Sequence, residues 1–357
     1  MSNGFKKKMA SELSQLLIPL IALGILILFN LIRDPRFFSI GVAVNNDGNS
    51  VLTGNLISII DSASELAIIA MGMTLVTAAC GGQDISVGAV GAISGAVFVK
   101  LVQAMGGINA GTFAAAMLLA ILVTVCFKLF NGTLVAVFRI QPMIATLILY
   151  SCGRSIAYWI NGDATPQLTS PILTAIGMTI PGVPVPTPIF CVLLVSLLLA
   201  LIFRFTNISL YTQSVGINQG AARLNGINPI LIKLLSFVLL GVCVSVASLI
   251  GISRLGQLNH KTLLVDIEMD AILAVAIGGN NLGGGKFKIS GSILGAYIIQ
   301  MLTTTLYAMK VSPVNVKAYK AIVIIIIVIA GSPVVKEKLR AIWKRLKTGR
   351  VARKEVA

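Results

Sequence analysis

The residues GGNNLGGGKFKISGSILG, from Gly278 to Gly295, decide how the rest of the chain is read. A counterpart stands near the other end, GGQDISVGAVGAISG, from Gly81 to Gly95. Both open on a glycine pair, Gly81-Gly82 and Gly278-Gly279. Both place a large aliphatic residue four positions on (Ile85, Leu282) and a glycine seven positions on (Gly88, Gly285). Each follows an apolar run, residues 67–80 and 271–277, and each leads into another. An Ile-Ser-Gly comes soon after in both, at 93–95 and 289–291. Two glycine-interrupted apolar stretches at matching places in two halves point to a binding site or pathway in a transporter. In lipid, such backbone is tolerated only where protein buries it or water lines it. The same residues also suit two tight loops between spans, because glycine turns at little steric cost.

Composition fixes the class. Of 357 residues, 56% are hydrophobic and only 11% charged, and the mean hydropathy is +0.94. A soluble domain does not carry that balance. The chain reads as an all-α, polytopic transmembrane bundle. The net charge of +16 is unevenly placed. Lys6, Lys7 and Lys8 precede the first apolar run, and a basic tail from Lys336 to Lys354 follows the last. The positive-inside rule puts both ends in the cytoplasm, so the number of spans is even. The tail has no folded module around it, which speaks against nucleic acid as a partner. Anionic lipid headgroups suit it, or plain solvation. The domain division is a cytoplasmic N-terminal segment (1–15), a transmembrane domain (16–332) and a basic cytoplasmic tail (333–357).

Ten spans follow from the apolar runs, within a range of eight to ten: residues 16–32, 56–80, 87–105, 112–138, 142–160, 189–205, 230–253, a discontinuous eighth at 271–277, then 289–309 and 319–331. Asp61 and Glu65 fall in the second run, so they belong near the outer interface or towards the bundle interior. Lys128 and Arg139 mark the cytoplasmic end of the fourth, and Arg204 and Lys233 flank the loop 206–229. Six prolines between 166 and 188 exclude a long helix there and suggest an external cap or short re-entrant pieces. Both glycine motifs fall on the cytoplasmic half in this count, giving a parallel repeat. Two short spans within 51–80 would make it inverted.

Catalytic motifs are missing. Gly285-Lys286 has Asn280 where a phosphate-binding loop needs its first glycine and Phe287 where it needs a hydroxyl. One histidine, His260, and five unpaired-looking cysteines leave no metal cluster to propose, and no nucleophile motif is present. The chain reads as non-catalytic, with neither metal nor cofactor of its own. The loop 215–233, VGINQGAARLNGINPILIK, is more informative. Gln219 to Leu224 reads as a short helix between Gly216 and Gly226, with Ala221 and Ala222 as a close-packing face and Arg223 as a cationic anchor. Pro229 opens the next span where a helix tolerates proline. Such a helix suits transmission of a push from a soluble partner, and equally an ordinary interspan loop.

Four segments, GGQDISVG (81–88), IQPMIATL (140–147), GINQGAARLNGIN (216–228) and GGNNLGGG (278–285), together resemble the bacterial ABC sugar-importer permeases. That is the branch with the ribose, arabinose and xylose permeases. The resemblance covers residues 55–331 in the family's order. Residues 140–154, 268–287 and 295–300 resemble the galactofuranose-importing members. The resemblance implies a bacterial inner-membrane subunit that pairs with a second permease copy or a homologue. It implies ATPase subunits that bind ATP beneath, and an extracytoplasmic sugar-binding protein above. It carries an ATPase-coupling role to Gly216, Gln219, Ala221, Ala222, Arg223 and Gly226. It places Gly81, Gly82, Gln83, Asp84, Gly88, Gly278, Gly279, Asn280, Asn281 and Gly285 beside the translocation path. Amides and a carboxylate at Gln83, Asp84, Asn280 and Asn281 suit sugar hydroxyls. Asp61 and Glu65, and the pair Asn280-Asn281, depart from the family's usual residues. A stand-alone secondary sugar transporter or facilitator is the alternative, and would need no ATPase.

Overall fold

The computed structural model describes residues 2–331 apart from 45–49, 163–164 and 169. The basic tail 333–357 and the turn-rich stretch 45–49 therefore lie outside the described residues. The elements in order are α1 (Ser2–Arg33), β1 (Gly41–Val44), β2 (Ser50–Thr53), α2 (Asn55–Ser62), α3 (Ser64–Cys80), α4 (Val87–Ala104), α5 (Ala110–Ala136) and α6 (Pro142–Asn161). They continue with α7 (Pro171–Gly177), α8 (Thr187–Phe205), α9 (Ile208–Ile217), α10 (Gln219–Leu224), α11 (Pro229–Leu255), α12 (Ile267–Ile277), α13 (Ile289–Ala308) and α14 (Pro313–Gly331). The chain is mostly helical. Seven described helices are long and apolar enough to cross a bilayer, counting α2 and α3 as one nearly unbroken stretch, Asn55–Cys80.

The expectation of a purely α-helical chain needs one correction. β1 and β2 pair antiparallel, Gly41 opposite Thr53 and Val44 opposite Ser50. Alternating β-branched residues either side of a turn-rich stretch are an ordinary hairpin signal. The ribbon is tied to the proline-rich loop by the Leu52 N–H, which donates to the Pro184 carbonyl at 2.9 Å.

α3 stands at the centre. Its sequence SELAIIAMGMTLVTAAC is apolar or small on every side, and residues 66–79 are all buried. A helix hydrophobic all round belongs inside a bundle. α11, α12, α13, α8 and α9 pack on it. Small residues set the approach: a Cβ on Gly72 would lie 2.9 Å from the Leu240 Cα of α11. Hydroxyls join neighbouring helices, Thr74 to Ser292 at 2.6 Å and Ser94 to Ser245 at 2.8 Å. By contrast α5, α6 and α8 turn leucine, isoleucine and phenylalanine outwards, among them Leu122, Ile144 and Leu193. That is the surface expected against lipid or a partner helix.

The eighth apolar run is short, as its sequence suggests. α12 has 11 residues, about 16 Å at helical rise, against a hydrocarbon core of about 30 Å. Irregular backbone, residues 256–266, precedes it and packs into the bundle between α4, α6 and α11. Arg154 of α6 makes this possible. Its Nη1 donates to the carbonyls of His260 (2.7 Å) and Leu263 (3.1 Å), and its Nη2 reaches that of Leu264 at 3.4 Å. One guanidinium thus satisfies carbonyls that no helix satisfies, which buried non-helical backbone requires.

Candidate functional site

The short helix α10 is built by local capping. The Asn218 side chain accepts the Ala221 N–H at 3.0 Å. Gly226, at φ +75°, closes the far end, and the Ile227 N–H returns to the Ala222 carbonyl at 3.0 Å. Asn228 then caps α11 by accepting from Ile230 and Leu231, with Pro229 as first helical residue. A cap directly before this six-residue helix and another four residues after it leave it little freedom. Ala222 is buried with Val215 and Ile232, so it anchors the helix from below and is not itself a contact surface. Gln219, Ala221, Arg223 and Gly226 are exposed. The sequence reading did not single out two large aliphatic side chains that stand beside them. Leu224 is 92% exposed and Ile217 65%.

Gly216 joins this unit to both glycine motifs. A Cβ there would sit 1.8 Å from the Ala78 carbonyl oxygen and 2.6 Å from the Gly285 nitrogen. The Gly285 N–H itself donates to the Ala78 carbonyl at 2.9 Å. Gly284 and Gly285 hold φ of +92° and +93°, which favours glycine. Gly81, the left-handed cap of α3, lies so near Gly283 that a Cβ would meet its carbonyl at 2.8 Å. The Gln83 amide donates to the Leu282 carbonyl at 3.0 Å. The segment 140–147 closes the group. Gly82 abuts the Pro142 ring at 2.9 Å from a virtual Cβ, and Thr146 Oγ1 accepts the Ile85 N–H at 3.1 Å. Four motifs far apart in sequence meet at one end of the bundle. Both glycine loops turn there, so the α3–α4 and α12–α13 hairpins run in the same sense.

The residues expected beside a path divide. Asp84 is fully buried, with Oδ2 at 2.8 Å from Lys128 Nζ and Oδ1 accepting from the Ser86 N–H and hydroxyl. Lys128 Nζ and the Asn131 amide both donate to Ser86 Oγ, at 2.9 and 3.0 Å. Both carboxylate oxygens are engaged inside the protein, which leaves Asp84 no free edge for a sugar. Lys128 is accordingly not an interface cation at a helix end but half of a buried ion pair. Lys233 is buried too, and not a loop charge. Asn280 is a clamp: its Oδ1 accepts the Lys288 N–H, and its Nδ2 donates to the Lys288 carbonyl and to Ser292 Oγ. Asn281 is exposed, and its Oδ1 accepts the Gly283 N–H at 3.0 Å. Gly278 packs on Gly291, where a Cβ would fall 2.4 Å from its carbonyl, and Gly279 takes φ +82° in the same turn. Gly88 stands apart from the junction, against the Leu264 carbonyl and Glu268 Oε2. Among the described residues, no group of histidine, cysteine and carboxylate side chains is arranged to hold a metal ion.

The chain is a helical membrane bundle in which a short exposed helix joins paired interior loops. Comparison with known proteins identifies which kind. Residues 55–331 match the family described as branched-chain amino acid transport system / permease component, and the chain belongs to that family. It is 35% identical over 92% of its length to the galactofuranose transporter permease protein YtfT of Escherichia coli, covering 93% of that relative. It is 32% identical to the fructose import permease protein FruF of Bifidobacterium longum, over 99% of this chain and 97% of the other. It is 33% identical to the ribose import permease protein RbsC of Escherichia coli, over 88% and 92%. No solved structure matches. The chain is a multi-pass protein of the bacterial inner membrane.

Proposed function

We propose that this chain is the membrane subunit of an ATP-binding-cassette importer that carries a monosaccharide into the cytoplasm. The observation that carries the reading is the junction: α9, which leads directly into the exposed helix α10, abuts through Gly216 the carbonyl end of the central helix α3 and the Gly285 amide. In this reading ATP binds to a separate ATPase that docks on Arg223, Leu224 and Ile217. Its movement reaches α3 and α12 through backbone contacts with no compressible side chain between them. A second copy or a homologous permease completes the pore, and an extracytoplasmic binding protein delivers the sugar. The relatives' printed substrates favour a galactofuranose-like sugar, or another pentose or hexose. The stand-alone facilitator is the weaker reading, because it gives the α10 face nothing to bind.

The membrane arrangement follows from the same reading. Ten crossings run α1, α2 with α3, α4, α5, α6, α8, α11, α12, α13 and α14. The loops on the α10 side, 81–86, 137–141, 206–228 and 278–288, carry Arg139, Arg223, Lys286 and Lys288 against one acidic residue, Asp84, which is buried and paired with Lys128. That side is the cytoplasm by the positive-inside rule, and both termini lie on it. Arg223→Glu together with Leu224→Asp tests the docking face. The variant is expected at its normal level in the membrane, without the ATPase on copurification and without ATP-driven uptake. A variant that retains the ATPase and transports normally contradicts the assignment.

A further inference from the structure

At the end of the bundle opposite α10, a cavity of about 310 Å³ opens between the start of α3, the end of α11, the irregular segment 256–266, α12 and α13. That volume lies at the lower end of small-ligand pockets, about 300–1,000 Å³. We propose that this chamber is a transit site for the substrate sugar, one that recognises a neutral polyhydroxylated ligand. The proposal rests on the permease reading above and names where that substrate is held.

The lining mixes aliphatic side chains, such as Leu66, Leu255 and Leu263, with ion-paired charges and polar groups. Arg254 faces Asp61 at 3.1 Å and Glu65 at 3.8 Å. Asp270 is met by Lys320 at 2.7 Å. Each charged group has an opposite charge beside it, with one carboxylate in excess in the Arg254–Asp61–Glu65 cluster, so nothing there draws in an anionic ligand. The Ser62 hydroxyl, the Thr262 hydroxyl and the Gln300 amide also line the chamber. Among the described residues none of these three side chains has a hydrogen-bond partner. Hydroxyls that both donate and accept, with an amide that does both, are the complement of sugar hydroxyls. The paired carboxylates of Glu65 and Asp270 keep lone pairs free for further hydroxyls. No aromatic ring lines the cavity, so nothing provides a stacking platform. A weak site without a stacking platform suits a solute that must leave as readily as it enters.

Its position ties the chamber to the junction. α12 begins at the chamber with Ile267 and Asp270 and ends at Gly278. α3 has Glu65 at one end and Ala78, the junction carbonyl, about 20 Å away along the helix. Arg254 also lines a second cavity of about 410 Å³, beyond its pair with Asp61 and walled by β1, β2 and Thr179. The Arg254–Asp61–Glu65 cluster therefore partitions an outer vestibule from the inner chamber.

The test uses cells carrying the full importer, this chain with its ATPase and binding protein, in a host without other sugar importers. Uptake of labelled D-ribose, D-fructose and D-galactose first identifies a transported sugar. Gln300→Cys is then labelled from outside with a membrane-impermeant thiol reagent, against the background of the unsubstituted chain. The chamber predicts that the transported sugar slows labelling severalfold and that L-leucine does not. It predicts that Thr262→Val and Gln300→Ala raise KM severalfold with surface level and ATPase copurification unchanged. Transport by the unsubstituted chain with Gln300→Cys unreactive, or unprotected by a transported sugar, overturns the chamber and leaves the permease reading intact. Unchanged KM in both variants does the same. Uptake of no sugar, with L-leucine protecting Gln300→Cys, overturns both.

Discussion

Gly216→Ala is the smallest change that separates docking from transmission. The added Cβ would stand 1.8 Å from the Ala78 oxygen and 2.6 Å from the Gly285 nitrogen. Non-bonded heavy atoms settle at about 3.5 Å, so α9 must withdraw by roughly 1.5 Å. Neither obstacle is the end of a flexible side chain; both are backbone. Forcing a methyl into a packed contact costs about 1–3 kcal/mol, and the strained Gly285–Ala78 hydrogen bond about 1 kcal/mol more. A penalty of about 2–4 kcal/mol on the closed junction lowers its population about 30- to 700-fold. Uptake and ATP hydrolysis, measured in the same reconstituted vesicles, read the result. Uptake is expected to fall by at least about 30-fold by that arithmetic. The chain remains in the membrane and still holds its ATPase, because the exposed face of α10 is untouched. Gly24→Ala, where nothing lies within 4 Å of the new methyl, serves as the control and is expected to transport normally. Wild-type uptake by Gly216→Ala would refute the junction as a transmission element.

Two further predictions concern buried polar groups. Removing one partner of the Asp84–Lys128 pair, as in Lys128→Met, strands a buried carboxylate and should cost about 3–5 kcal/mol, read as an early melt of the detergent-solubilised protein; Asp84→Asn with Lys128→Met should recover most of it. Arg154→Ala leaves the carbonyls of His260, Leu263 and Leu264 without their donor, and Arg154→Lys cannot restore the fork, so both variants should show reduced membrane yield and faster proteolysis within residues 256–266.

Much of the helical scaffold was legible because lipid imposes one requirement on every span, a long apolar run with internally satisfied backbone. The run 87–105 is α4, 142–160 is α6, and the short run 271–277 is the core of α12. Among the described residues, the proline-rich stretch 166–186 holds one helix, the seven-residue α7. Pairings across the chain were not legible. Lys128 looks like an interface cation until Asp84, 44 residues earlier, is found beside it. Asp270 looks too costly for a span until Lys320 of α14 meets it. Asp84 has the chemistry for a sugar hydroxyl, and only its burial assigns it elsewhere. The ribbon β1–β2 was overlooked although Asn-Asn-Asp-Gly-Asn between Val44 and Ser50 is hairpin chemistry. The glycines stand out in the sequence as breaks in apolar runs, and in the fold Gly81, Gly216 and Gly285 lie where backbone meets backbone, which no local pattern encodes.

Reconstituted vesicles containing this chain with its neighbouring ATPase and binding protein test the central claim most directly. Uptake of a labelled monosaccharide that requires ATP, the ATPase and the binding protein together is the predicted result. Uptake at the same rate from vesicles that lack the ATPase contradicts it and makes the chain a facilitator.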